Sequence, residues 1–148
     1  MPVVVRTRQL GAPPAAVWRT VGDPHQLARW WPKVLRVEGV TSGRFTQVMQ
    51  TESGRDVRAD YALLEARAPA LWHAEQEVEG TPFEGVLAAS DTEIMLQPVG
   101  EAQTLVTLTL RRRMTGVARF GGFLMRRATA RVVETALDNL EGIHGRGA

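Results

Sequence analysis

Cysteine is absent from the 148 residues, which excludes disulfides, thiolate-bound zinc and a cysteine nucleophile. Lysine is nearly absent: Lys33 stands alone against 17 arginines. The sequence pI of about 9.9 reflects the high pKa of arginine, because 16 acidic residues leave a formal net charge of only +2. A nucleic-acid binder carries a larger, clustered excess interleaved with aromatics, so no nucleic-acid partner is expected. No eighteen apolar residues run together, and the opening MPVVVRTRQLGAPP has no long apolar stretch behind a basic start. Neither export nor membrane spanning is therefore expected, and the cytoplasm is the expected compartment. The length suits one domain, residues 1–148, with 44% hydrophobic residues to fill its core.

What is present reads as strands and helices in a distinctive order. VVVRTRQL, residues 3–10, is β-branched and stops at the Gly11–Pro14 breakers. Pro14 suits a first helical turn, and Val17, Trp18 and Val21 follow at helical spacing until Gly22. Asp23 is a helix cap, with Pro24 at the first position of a second short helix that carries Leu27, Trp30 and Trp31 and closes at Pro32. Six β-runs follow, 34–40, 42–51, 52–66, 70–79, 85–98 and 104–114, separated by short Gly- and Pro-containing turns that favour an antiparallel meander. In the fourth, Trp72, Ala74, Gln76 and Val78 oppose His73, Glu75, Glu77 and Glu79, as a half-buried strand requires. The segment from Ala118 to Ile143 is proline-free and helix-forming after Gly121 and Gly122, with Val133, Ala136, Leu137, Leu140 and Ile143 on one face. Residues 144–148 read as a frayed tail.

This order, with APPAAVWRTVGDPHQLARWWP near the start and GGFLMRRATARVVETALDNLEGI near the end, resembles the START-like SRPBCC superfamily. That superfamily includes birch-pollen-allergen-like proteins, lipid-transfer START domains and polyketide cyclase/dehydratases. The resemblance implies an α+β helix-grip fold. In it a seven-stranded curved antiparallel sheet surrounds a long C-terminal helix, with two short helices after strand 1. The matching motifs belong to the scaffold, and a shared scaffold does not carry activity across.

Motifs that announce chemistry are missing. His25, His73 and His144 lie in a cap, a strand and the tail with no i, i+4 pairing and no carboxylate at ligand spacing, and no P-loop, dinucleotide or nucleophile-elbow pattern occurs. No metal and no cofactor are expected. The scaffold offers a hollow between curved sheet and straight helix, which small residues such as Ala74, Ala88, Ala89 and Ser90 leave open.

Strand alternation turns Gln76, Ser90, Thr92 and Arg112 toward that hollow, and helical spacing adds Arg126 and Thr129. Arg126 either snorkels to solvent or orients an acidic or carbonyl-bearing ligand. Tyr61 either packs in its strand or donates into the hollow, and of Trp30 and Trp31 one is expected to anchor the core and the other, Trp31, to guard the mouth. Trp18 is expected in the core. The first functional reading is binding of a hydrophobic small molecule, a lipid, polyketide or similar metabolite, without a recognisable catalytic motif. A polyketide cyclase, aromatase or dehydratase using the same cavity is the second. An interaction protein presenting the Arg111–Arg113, Arg119, Arg126–Arg127 and Arg131 runs to an anionic lipid or acidic partner is the third.

Overall fold

The computed structural model describes residues 3–51, 53–115 and 122–148. Seven strands, β1 Val3–Leu10, β2 Val34–Glu38, β3 Arg44–Gln50, β4 Asp56–Arg67, β5 Leu71–Gln76, β6 Leu87–Val99 and β7 Gln103–Met114, form one sheet in the order β1-β7-β6-β5-β4-β3-β2. All neighbours are antiparallel. From β2 to β7 the order is a simple meander, as short turns dictate; β1 reaches the far edge because the two short helices carry the chain across. The helices are α1 Pro14–Val21, α2 Leu27–Trp30 and α3 Gly122–His144. The expected helix start at Ala118, and Arg119 with it, lies outside the described residues.

The capped turn forms where Asp23 predicts it, but as a 3₁₀ turn over Pro24–Gln26 that leads into α2, with the Asp23 carboxylate accepting from the His25 N–H at 3.0 Å. Asp23 also lies 3.0 Å from His25 Nδ1, a carboxylate contact the histidine spacing did not signal. Trp18 is half-buried rather than core. Its ring lies over Gly22, where an added Cβ would come within 2.5 Å of it, so the glycine that ends α1 is also the floor for the indole.

Periodicity places α3 well. Val133, Ala136, Leu137 and Leu140 are fully buried, and α3 packs on β1, β7 and α2. Its opposite flank is held by Arg8 of β1, which donates to Asp138 at 2.9 Å and Glu134 at 3.2 Å and lies 3.5 Å from Glu141. Asn139 Nδ2 donates to the Trp30 carbonyl at 3.0 Å, fixing α3 to α2.

The tail is not frayed. Gly11 N–H donates to the Gly145 carbonyl at 2.9 Å and Gly147 N–H to the Gln9 carbonyl at 3.0 Å. A Cβ on Gly11 would stand 2.8 Å from the Arg146 carbonyl oxygen, and one on Gly147 would stand 2.5 Å from the Gln9 side chain. Glycine at both sites is what lets the two backbones meet.

Just before this join, His144 Nε2 and Thr20 Oγ1 share a hydrogen bond of 2.9 Å. Burial, reinforced by Arg29 and Arg19, holds the His144 imidazole below its ordinary pKa. The unfolded chain therefore takes up this proton first. The histidine's contribution is fully present above about pH 6.5, the unfolded value, and is lost as pH falls through the lower folded value. In urea titrations, His144→Gln should flatten the decline in stability between about pH 7 and pH 5. An unchanged slope would show that the imidazole is as easily protonated folded as unfolded.

Candidate ligand cavity

On β3, β5 and β6 the inner sheet face carries Gln47, Gln76, Ser90 and Thr92 among its apolar side chains. Where α3 begins, the sheet has curved away from it. The result is a cavity of about 580 Å3. Its roof comes from Leu124, Met125 and Ala128 of α3, and one side from Leu27 and Trp30 of α2 with Trp31 just past its end. The sheet contributes Gln47 and Met49, Tyr61, Trp72 and Gln76, then Leu87, Ser90 and Thr92, then Leu110, Arg112 and Met114. Phe83 and Val86, in and beside the 3₁₀ turn Pro82–Gly85, complete the lining. Leu124 and Val86 are 69% and 48% exposed.

Aromatic rings stiffen the wall. Phe45 stacks on Tyr61 with centroids 5.2 Å apart and planes 2° from parallel, and Trp72 tilts against Phe45 at 6.0 Å. Trp30 and Trp31 meet edge to face at 5.4 Å. Trp30 is buried and Trp31 half-buried, and both line the cavity.

Of the residues expected to face the hollow, the structure places Trp31, Tyr61, Gln76, Ser90, Thr92 and Arg112 on the cavity wall. Thr129 is fully buried behind that wall, with its Oγ1 3.4 Å from Arg112 Nη1. Arg126 is exposed and is not part of the lining, which corrects the wheel-based placement. The first turns of α3 flank the cavity rather than packed sheet, so a long side chain on the same stripe as Val133 has a free path to solvent. The carboxylates considered as its partners are turned elsewhere: Asp60 accepts from Thr46 at 2.6 Å, Glu77 pairs with Arg44 at 2.7 Å, and Glu75 is exposed.

Ala88 and Ala89 do not open the hollow either, being exposed on the outer face. A bulge between Leu87 and Ala89 shifts the register, setting Leu87 against Met114 and Ala89 against Arg113. One extra residue reverses the alternation before it, so Leu87 points inward although Ser90 does too. β5 is also shorter than the expected run, ending at Gln76, though Val78 beyond it stays buried.

Sequence reading overlooked Gln47, which is 4% exposed on β3 between inward-facing Phe45 and Met49. Period-two alternation from Phe45 would have found it. It also overlooked a cross-strand cluster on the outer face. There His73 Nε2 lies 2.7 Å from Asp91, and Arg111 donates to the same carboxylate at 2.7 Å. Such partners are 18 and 20 residues apart, invisible to local spacing. Among the described residues no group of three or more His, Cys, Asp or Glu could hold a metal ion.

Polar atoms in the cavity wall are largely unpaired. Trp30 Nε1, Trp72 Nε1, Gln76 Nε2 and Arg112 Nε are buried donors with no hydrogen-bond partner among the described residues, and Gln47 Oε1 is an acceptor in the same position. Tyr61 adds a hydroxyl whose pKa burial pushes up to about 12, with Arg112 pulling modestly the other way. It is therefore a neutral donor at any physiological pH.

A curved antiparallel sheet closed by one long C-terminal helix over a largely apolar cavity defines the helix-grip, START-like class. Within that class, a family model described as polyketide cyclase/dehydrase and lipid transport matches residues 1–143, and the chain belongs to that family. Solved structures agree on the fold. The di-domain ARO/CYC BexL of the BE-7585A biosynthetic pathway superposes with a TM-score of 0.78 at 24% identity, over 96% of this chain and 46% of that one. The chain thus spans under half the length of BexL. A START superfamily protein of Mycobacterium smegmatis gives 0.78 at 13% identity over 96% of both chains. A protein of Thermus thermophilus gives 0.75 at 24% identity over 95% of both. A comparison with curated proteins returned no match. No helix among the described residues is long and apolar enough to cross a membrane.

Proposed function

We propose that this chain binds a flat, hydrophobic small molecule bearing several acceptor oxygens, such as a polyketide or related ring metabolite, in the cavity beneath α3. The observation that carries this reading is a largely apolar cavity of about 580 Å3 whose lining residues hold four unpaired buried donors and one unpaired acceptor. Leaving a buried donor unsatisfied costs about 1–3 kcal/mol, so a ligand acceptor that reaches one of these groups recovers that penalty. Apolar area fixes the ligand's body and the donors fix its orientation.

Two measurements test it. Native mass spectrometry of freshly purified protein should show a small molecule retained one per chain. The neutral fluorophore N-phenyl-1-naphthylamine should bind with the same stoichiometry, receive energy from the tryptophans lining the site, and be displaced by that molecule. Identical native and denatured masses together with no naphthylamine binding would sink the proposal.

A second reading is favoured by the family itself, described as polyketide cyclase/dehydrase and lipid transport. The same donors would polarise a ketone of a bound poly-β-ketone while the walls hold an enol carbon of that molecule against it. Orientation alone supplies a large share of such a barrier. The new carbon–carbon bond closes the ring, the enol proton passing to the former ketone oxygen to leave a tertiary alcohol, and loss of that hydroxyl with a neighbouring C–H proton as water carries the ring toward aromaticity. A linear poly-β-ketone should then cyclise faster with protein than in buffer, and Tyr61→Phe should slow the bound-state step roughly 10-fold or more, beyond any change in binding. Equal rates with and without protein would leave binding as the whole function.

A further inference from the structure

Three of the described arginines are drawn in from solvent, and the other described arginines are exposed. Arg8 meets three carboxylates of α3. Arg111 meets Asp91 at 2.7 Å and lies 3.9 Å from Glu93. Arg112 is the third, and it has no carboxylate partner among the described residues. Its Nη1 lies 3.4 Å from Thr129 Oγ1 and 3.9 Å from Met125 Sδ, a long contact and a weak acceptor, while its Nε has no partner. A desolvated guanidinium without a counter-charge is expensive to keep, and removal from water has drawn its pKa below the ordinary value.

Its position is built by the sheet. Arg111 and Arg113 point outward on β7, whereas Arg112 shares the inward face with Leu108 and Leu110 and sits directly across from Ser90 of β6. Tyr61 lines the same cavity, near enough for the Arg112 charge to act on its hydroxyl. Its hydroxyl donates to no group among the described residues.

We propose that Arg112, with Tyr61 and Ser90 beside it, is an oxyanion subsite: the ligand of this cavity is an organic acid whose carboxylate or acidic enolate sits on Arg112 while its ring body lies among Trp30, Trp72 and Phe83. The inference rests on the cavity being a ligand site and adds the charge of the ligand. A neutral lipid would leave the guanidinium uncompensated, whereas an acid supplies the counter-charge that no carboxylate among the described residues provides. The planar guanidinium presents several donors to such a group at fixed geometry.

The test uses two probes that share one body. 1-Anilinonaphthalene-8-sulfonate carries an anion, and N-phenyl-1-naphthylamine is its neutral counterpart. Arg112→Met keeps an apolar stem and removes the charge. It should weaken the sulfonate probe roughly 10- to 100-fold, in line with a hydrogen bond to a charged group, and leave the neutral probe unchanged or bound more tightly. Arg112→Lys, which keeps charge but not the planar donors, should fall between, and Arg112→Gln serves if the methionine variant is insoluble. The double variant Arg126→Met with Arg127→Met, at exposed sites near the mouth, should leave the sulfonate affinity as in wild type. If the neutral probe binds wild type but the sulfonate loses nothing on Arg112→Met, or both probes weaken equally, the oxyanion subsite is refuted and the apolar site stands. If neither probe binds wild type, the cavity reading fails along with it.

Discussion

Replacing Leu137 by alanine should lower the unfolding free energy by about 2–5 kcal/mol, the span measured for large-to-small changes at fully packed sites. Leu137 is 0% exposed, as are its helical neighbours Val133, Ala136 and Leu140, and all four belong to the main hydrophobic cluster. Atoms removed there leave a void, because the strands on the other side are hydrogen-bonded and cannot collapse onto it. Leu124 gives the contrast: on the same helix but 69% exposed at the cavity rim, its alanine variant should change stability by no more than about 0.5 kcal/mol. Urea titrations of the two variants beside wild type check both values. A loss below about 0.5 kcal/mol at Leu137 would mean that α3 is not seated on the sheet as described.

The second large effect is on binding. Thr92→Trp should weaken N-phenyl-1-naphthylamine by on the order of 100-fold, about 2.8 kcal/mol, while stability is held or raised. Thr92 is 8% exposed in the middle of β6, across from Ala74 on one side and Leu110 on the other, with its side chain at the cavity. An indole there grows into empty volume and gains contacts instead of straining a packed core, which is why the fold should tolerate it. Fluorescence titration and thermal unfolding of the same sample give the two readouts. Full affinity in a stable variant would place the probe elsewhere, and the outer depression of about 410 Å3 beside His73, Asp91 and Arg111 would be the first alternative.

The oxyanion subsite and the cavity reading separate cleanly under these variants. Thr92→Trp removes space and should affect both naphthalene probes, whereas Arg112→Met removes charge and should affect one. A ligand recovered by native mass spectrometry can be passed through the same pair. An acid should follow the sulfonate probe, and a neutral lipid should follow the naphthylamine.

Local periodicity carried a great deal of this protein. Elements came out in the right order because each is marked by its own residues: Pro14 and Gly22 bound α1, Asp23 and Pro24 start the capped turn, and Val133, Leu137 and Leu140 recur on one helical face. Inward polar positions on regular strands were equally legible, since Gln76, Ser90, Thr92 and Arg112 follow from a period of two counted from buried neighbours. What only the tertiary structure decided lies where that counting is broken or where partners are distant in sequence. The bulge at Leu87–Ala89 turned two alanines outward, and nothing local announces one extra residue in a strand. Arg126 keeps its wheel position but loses its burial, because burial depends on what stands opposite, and opposite the first turns of α3 stands a cavity. The tail of residues 145–148 is ordered by hydrogen bonds to Gln9 and Gly11, and His73 finds Asp91 across two strands. Most telling is Arg112: alternation could turn it inward, but only the folded sheet shows that no carboxylate among the described residues follows it there. Sequence period sets which way a side chain points, and the packing of distant segments sets what it meets.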